Sequence, residues 1–286
     1  MSQSDPAVPG PARTIAVVAP SCRMSPEVEP RVRALAEALY PGRPPSIFVH
    51  PQVFESCGHF AGDDAARAEA FVEVANSPAY DAVWFARGGY GAGRIAELVL
   101  PRLTEAARRK TYLGYSDGGA LLGALYARGF AGAAHGPMPQ DIVRADGEAA
   151  VARALAWLVE RDTAALEPSL EPGGKAAAFN LATFSAIVGT PFQPDLSDHV
   201  LMLEEVSEPM YRIDRFLFHV TSNEAVRGVA GLRLGRCSAI PENDPDFQRT
   251  EEEVVRYWCE RAAIPFLGRA DIGHDGANKV VPFGAL

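Results

Sequence analysis

The sequence predicts an α/β protein: a parallel sheet with helices on both faces, followed past a linker by a smaller second unit. Three observations predict this. Short apolar or β-branched runs alternate with segments of helical spacing through the first half of the chain. Two of those runs end directly in glycine-bearing turns that open helices. A stretch rich in proline and glycine, Glu167–Lys175 (EPSLEPGGK), then separates this half from a part of different texture. The chain divides into residues 1–165, a linker 166–178 and a second domain 179–286.

Each element has its own signal. Arg13–Pro20 (RTIAVVAP) is a β-branched run stopped by proline, which suits a buried first strand. Ser25-Pro26-Glu27 predicts a helix start with serine as N-cap and proline in the first turn. Val28, Val32, Leu35 and Leu39 then share one face. Ser46–His50 is a second strand. The helix opened by Gly62-Asp63-Asp64 runs to Ser77 with acids in its first turn, as its dipole prefers.

Asp81–Ala86 (DAVWFA) is a third strand, followed at once by RGGYGAGR from Arg87 to Arg94 and by helical spacing at Ile95, Leu98 and Val99. Thr111–Tyr115 is a fourth strand that runs into the turn Gly114-Tyr115-Ser116-Asp117-Gly118. Leu121, Leu122, Leu125 and Tyr126 continue it as a helix, with Gly129 as C-cap. Ala133–Pro139 reads as a rigid loop and Asp146–Asp162 as an amphipathic helix.

Past the linker, Asn180–Gly189 is helix-like, and His199–Leu203 is a buried strand ending on Glu204-Glu205. Pro209–Val220 has helical spacing. Ala230–Leu234 and Ile264–Leu267 are short strands around an acidic helix, Glu251–Arg261.

Composition narrows the function. The 286 residues are 48% hydrophobic and 22% charged, an ordinary globular balance, and the net charge of −9 argues against a nucleic-acid partner. Cys22, Cys57, Cys237 and Cys259 lie far apart without metal-like spacing and read as reduced thiols. No apolar run approaches the ~20 residues of a membrane span. The first thirteen residues lack the apolar core of a secretory signal and read as a disordered lead-in, so a cytoplasmic protein is expected.

Four features carry candidate chemistry. Ser116, on a strand-to-helix turn, has two readings: an N-cap, or a nucleophile lifted beside the free N–H groups of a helix start. The RGGYGAGR loop could cradle a phosphate, offer an N–H to an oxyanion, or be a plain turn. It follows a strand as Ser116 does, so both should face one crevice. Glu204-Glu205 is either a solvated strand end or the acid that orients a histidine. His135 and His274 stand in glycine-flanked loops and are the two credible bases. Ser116, Glu204 and His274 fall in the order Ser…Glu…His.

ARGGYGAGRI, GYSD, HGPM, LMLEE…EPMYRIDRFL and GHDGANKVVPFGA occur in an order that resembles the bacterial serine LD-carboxypeptidases, a family that includes the microcin-immunity peptidases. The resemblance runs from about Ile15 to Ala285. It implies a flavodoxin-like N-terminal domain, a smaller β-rich α+β C-terminal domain, and a homodimer. It also implies Ser116 as nucleophile, Glu204 and His274 as its partners, and an oxyanion hole of the Asp117 N–H with that of Gly88 or Gly89. The implied reaction cleaves the L-to-D bond before the terminal D-alanine of murein tetrapeptides, with no metal or organic cofactor. Arg87, Tyr90 and Arg94 are candidate substrate contacts, since a carboxypeptidase needs a cation for the substrate's free carboxylate.

Two departures from the family pattern stand out. Ala178-Phe179-Asn180 replaces a usual Gly-Gly-Asn, and Gly118-Gly119 replaces the usual Ile-Thr after GYSD. Both are expected near the cleft. Gly118 also makes the turn a GxSxG, so an α/β-hydrolase-like esterase is a rival, though no HGGG-type loop is present. A microcin-type aminoacyl-nucleotide peptidase and a non-catalytic binder of anionic ligands complete the alternatives.

Overall fold

The computed structural model describes residues 12–286; the first eleven residues of the expected lead-in lie outside the described residues. The first half alternates as expected: β1 (Thr14–Val18), α1 (Val28–Leu39), β2 (Ser46–Val49), α2 (Asp64–Asn76), β3 (Ala82–Phe85), α3 (Ala92–Val99), α4 (Glu105–Arg108), β4 (Thr111–Gly114), α5 (Gly118–Ala127), β5 (Ala133–His135) and α6 (Gly147–Glu160). β2-β1-β3-β4-β5 pair in parallel in that spatial order. β1, β3 and β4 are buried almost throughout, which is why they read as unbroken apolar runs.

The second unit alternates too: β6 (Lys175–Asn180), α7 (Leu181–Ile187), β7 (His199–Val206), α8 (Met210–Ser222), β8 (Gly231–Ser238), α9 (Glu251–Ala262) and β9 (Phe266–Arg269). β6-β7-β8-β9 form a second parallel sheet. The chain then ends in two short strands. β10 (Val281–Pro282) runs antiparallel to β5 in the first sheet, and β11 (Gly284–Ala285) antiparallel to β6 in the second. The C-terminal residues therefore belong to both sheets.

Several sequence expectations need correction. α1 starts after the Ser25-Pro26 step: its cap position is Glu27, without a side-chain cap, and Val28 N–H bonds the Ser25 carbonyl instead. The loop expected at Ala133–Pro139 begins as β5, because the Gly114–His135 pairing extends the sheet. The linker 166–178 is shortened by β6, which starts at Lys175 and whose alanines are buried.

The two units share an apolar seam. Gly119 and Gly123, one turn apart on α5, face β6 and α7 across it. A β-carbon on Gly123 would sit 2.9 Å from Ile187 Cδ1, and one on Gly119 3.3 Å from Phe179 Cδ1. Phe179 continues the seam to Phe283, with ring centroids 4.9 Å apart. This contact holds the carboxyl end of β4 opposite the end of β7. All four cysteines are unpaired. Among the described residues no helix is long and apolar enough to cross a membrane.

Candidate active site

Ser116 sits at the tip of the turn between β4 and α5, with φ of +58°. A non-glycine residue in this left-handed region stores about 1 kcal/mol, which the surrounding packing must hold. Gly114 and Gly118 flank it where a β-carbon would lie 2.6 and 2.8 Å from the Phe85 ring, so the turn packs tightly on β3. The cap-only reading fails on position. Asp117 occupies the cap site of α5, and its carboxylate turns away to accept from Ser21 Oγ (2.5 Å) and Ala92 N–H (2.8 Å).

That same Asp117 carboxylate decides the glycine loop. It occupies the N-terminus of α3, the place where a phosphate would otherwise bind. The loop instead lies against the serine: a β-carbon on Gly88 would be 2.9 Å from Ser116 Oγ. Gly89 takes φ of +110° and packs on Cys22, where a β-carbon would collide with Sγ at 2.3 Å. The backbone N–H groups of Gly88, Gly89 and Asp117 have no acceptor among the described residues. Such donors around a nucleophile can hold developing negative charge on an attacked carbonyl.

Across the seam, β7 delivers Glu204 and the turn between β9 and β10 delivers His274. His274 Nδ1 lies 2.6 Å from Glu204 Oε2, and Nε2 lies 3.0 Å from Ser116 Oγ. A carboxylate only accepts, so Nδ1 carries the proton and Nε2 presents its lone pair to the serine hydroxyl. Glu204 is fully buried. It reaches the histidine where β8 carries an extra residue opposite β7, and Gly235 there leaves room: a β-carbon would be 2.8 Å from Glu204 Cβ.

Alternation along β7 separates the two acids. Glu205 points the other way and accepts from Asn180 Nδ2 (2.7 Å), Ala182 N–H (2.8 Å) and Val206 N–H (2.8 Å). Burial pushes its carboxyl up to about 7. It fastens α7 to the sheet.

The His274 turn is clamped from both units. Arg144 Nη1 donates to the His274 carbonyl (2.9 Å), and Arg153 donates to the carbonyls of Gly276 and Asn278. Arg236 pairs with Asp275 and Asp271, and Asn278 Oδ1 accepts from Gly273 N–H (3.2 Å). His135, the other expected base, is not in the cleft. It is buried behind the Ser116–His274–Glu204 line on Asn278 Oδ1 (3.1 Å), and burial pulls its pKa down to about 4.

The expected substrate contacts divide. Tyr90 is exposed on the cleft beside Ser116. Arg94 lines the same cleft, but Asp64 grips its guanidinium at 2.6–3.1 Å. Arg87 lines a second cleft on the other side of the serine. The departures Ala178, Phe179, Gly118 and Gly119 are buried in the core or the seam, and only the shared Asn180 beside them reaches a cleft. Among the described residues no three His, Cys, Asp or Glu side chains group to hold a metal ion.

The profile of the LD-carboxypeptidase N-terminal domain matches residues 15–136, and that of the LD-carboxypeptidase C-terminal domain matches residues 173–286. The chain belongs to the LD-carboxypeptidase family. It is a serine peptidase of that family. A protein of Streptomyces coelicolor bearing a carboxypeptidase name is 35% identical over 293 residues, covering 98% of this chain and 91% of that one. The murein tetrapeptide carboxypeptidase of Pseudomonas aeruginosa is 27% identical over 250 residues, covering 79% and 78%.

Solved structures share the LD-carboxypeptidase fold. Muramoyltetrapeptide carboxypeptidase from Oxalobacter formigenes superposes with a TM-score of 0.78 at 24% identity, over 95% of this chain and 92% of that one. The microcin C7 self immunity protein MccF gives 0.77 at 17%, over 96% and 92%. Sequence reasoning missed Tyr115, Asp141, Arg144 and Asn278 around this site. Asn278 could have been found from its place in the GHDGAN run; Arg144 carries no local signal.

Proposed function

We propose that this LD-carboxypeptidase family member removes the terminal D-alanine from murein tetrapeptides through a Ser116–His274–Glu204 triad. The observation that carries the reading is the continuous hydrogen-bonded line from a buried carboxylate through an imidazole to a strained serine. Its three members come from two units and three separate turns or strand ends. His274 takes the proton of Ser116 as the oxygen attacks the carbonyl of the L-residue. The oxyanion is held by the N–H of Asp117 and that of Gly88 or Gly89. His274 then protonates the departing amine, and water repeats the cycle on the acyl-enzyme.

The same reading takes the protein to be a cytoplasmic homodimer acting on wall fragments, as the family resemblance implies. Mass spectrometry of L-Ala-γ-D-Glu-(diamino acid)-D-Ala after incubation with the protein tests it. Loss of one alanine residue supports the reading. An unchanged tetrapeptide, with turnover of an aminoacyl-nucleotide instead, would transfer the site to the microcin-type reaction.

A further inference from the structure

Ser116 stands between two clefts of different chemistry. One is lined by Tyr90, Asn180, Thr183, Phe192 and Glu208, the other by Arg87, Gln140, Arg144 and His274. His274 lines the second and not the first. In acyl transfer the base that took the serine proton must hand it to the leaving amine. The leaving residue therefore occupies the His274 cleft and the acyl part the other. For a carboxypeptidase that leaving residue ends in a carboxylate, and this cleft holds two arginines.

The two are not equivalent. Arg87 is exposed, and its guanidinium makes one long bond to the Arg23 carbonyl at 3.3 Å. Arg144 is anchored by a single nitrogen. Nη1 donates to Tyr115 Oη and to the His274 carbonyl, both at 2.9 Å, and lies 3.4 Å from Asp141. Asp141 is itself occupied by Tyr115 Oη–H and Met138 N–H. Nε and Nη2 of Arg144 have no partner among the described residues, and its side chain is 42% exposed. One edge of the fork is thus fixed to the catalytic turn, and the Nε–Nη2 edge, which matches a carboxylate in bidentate fashion, is open to the cleft.

We propose that Arg144 binds the terminal carboxylate of the leaving residue through this edge and thereby selects a chain end over an internal bond. The proposal rests on the triad reading above. Because Arg144 also braces Tyr115 and the His274 turn, loss of activity alone would not separate a binding role from a strut. The ratio of kcat/KM for a murein tetrapeptide and its C-terminal amide does, since a strut acts on both substrates alike.

Wild-type protein should favour the free acid by about 10- to 100-fold, and Arg144→Gln should bring that ratio to within about threefold of unity. Arg87→Gln should keep most of the preference. A wild type indifferent to amidation, or a preference that survives Arg144→Gln, overturns the proposal. Should wild type cleave neither peptide, the murein-tetrapeptide reading fails instead. The Kd ratio of acid to amide on Ser116→Ala protein, with and without Arg144→Gln, then decides for Arg144: a lost preference supports it and equal binding refutes it.

Discussion

Gly88 faces Ser116 so closely that a β-carbon on the glycine would lie 2.8 Å from the serine Cβ and 2.9 Å from its Oγ. Neither neighbour is the far end of a flexible chain, so the clash falls on Ser116 itself. Gly88→Ala should leave the fold intact and lower kcat by about 100-fold or more, the scale of losing an oxyanion donor. Circular dichroism with steady-state kinetics reads both. A variant with normal kcat would show that the loop has no part in the reaction.

Glu204 and Glu205 are neighbours in sequence with separate duties. Glu204→Gln should place the wrong hydrogen-bonding group on His274 and cost kcat on the order of 10³–10⁴ with little loss of stability. Glu205→Gln should instead set an amide against backbone donors and cost about 1–3 kcal/mol of stability. Thermal unfolding and kinetics on both variants check the division, and equal effects would refute it.

Much of this was legible in the sequence, for identifiable reasons. β1, β3 and β4 and the Val200–Leu203 part of β7 are buried almost throughout, so apolar residues run nearly unbroken along them. The Ser116 turn carries glycines that sterics demand. β5 and β6 are rich in alanine and lack the β-branched signal, so the sequence there resembles a loop and a linker. β10 and β11 are two residues each and exist only because two sheets offer edges. Arg144 matters through contacts with residues 29 and 130 positions away, which no local pattern encodes.

His135 supplies a pH-dependent stability. Burial lowers its pKa from 6.5 to about 4, so the unfolded chain binds more protons than the folded one in between. Its contribution is present above pH 6.5 and is lost as pH falls toward 4. About 2 kcal/mol should disappear between pH 7 and pH 5. Urea denaturation at both pH values should show that extra loss in wild type and not in His135→Gln; parallel losses would remove the histidine from the account.

The positive φ at Ser116 is a stability cost borne by the site. Ser116→Gly should raise stability by about 1 kcal/mol while abolishing turnover, because glycine enters the left-handed region freely. Calorimetry on the variant tests this. A destabilised Ser116→Gly protein would mean that the hydroxyl's bond to His274 outweighs the strain.

The triad itself is tested most directly by the turnover of a murein tetrapeptide by wild-type and Ser116→Ala protein, matched for folded content. We expect kcat to fall at least about 1,000-fold in the variant, as for other nucleophile deletions. A Ser116→Ala protein that releases D-alanine within about tenfold of the wild-type rate would contradict the assignment of Ser116 as the nucleophile.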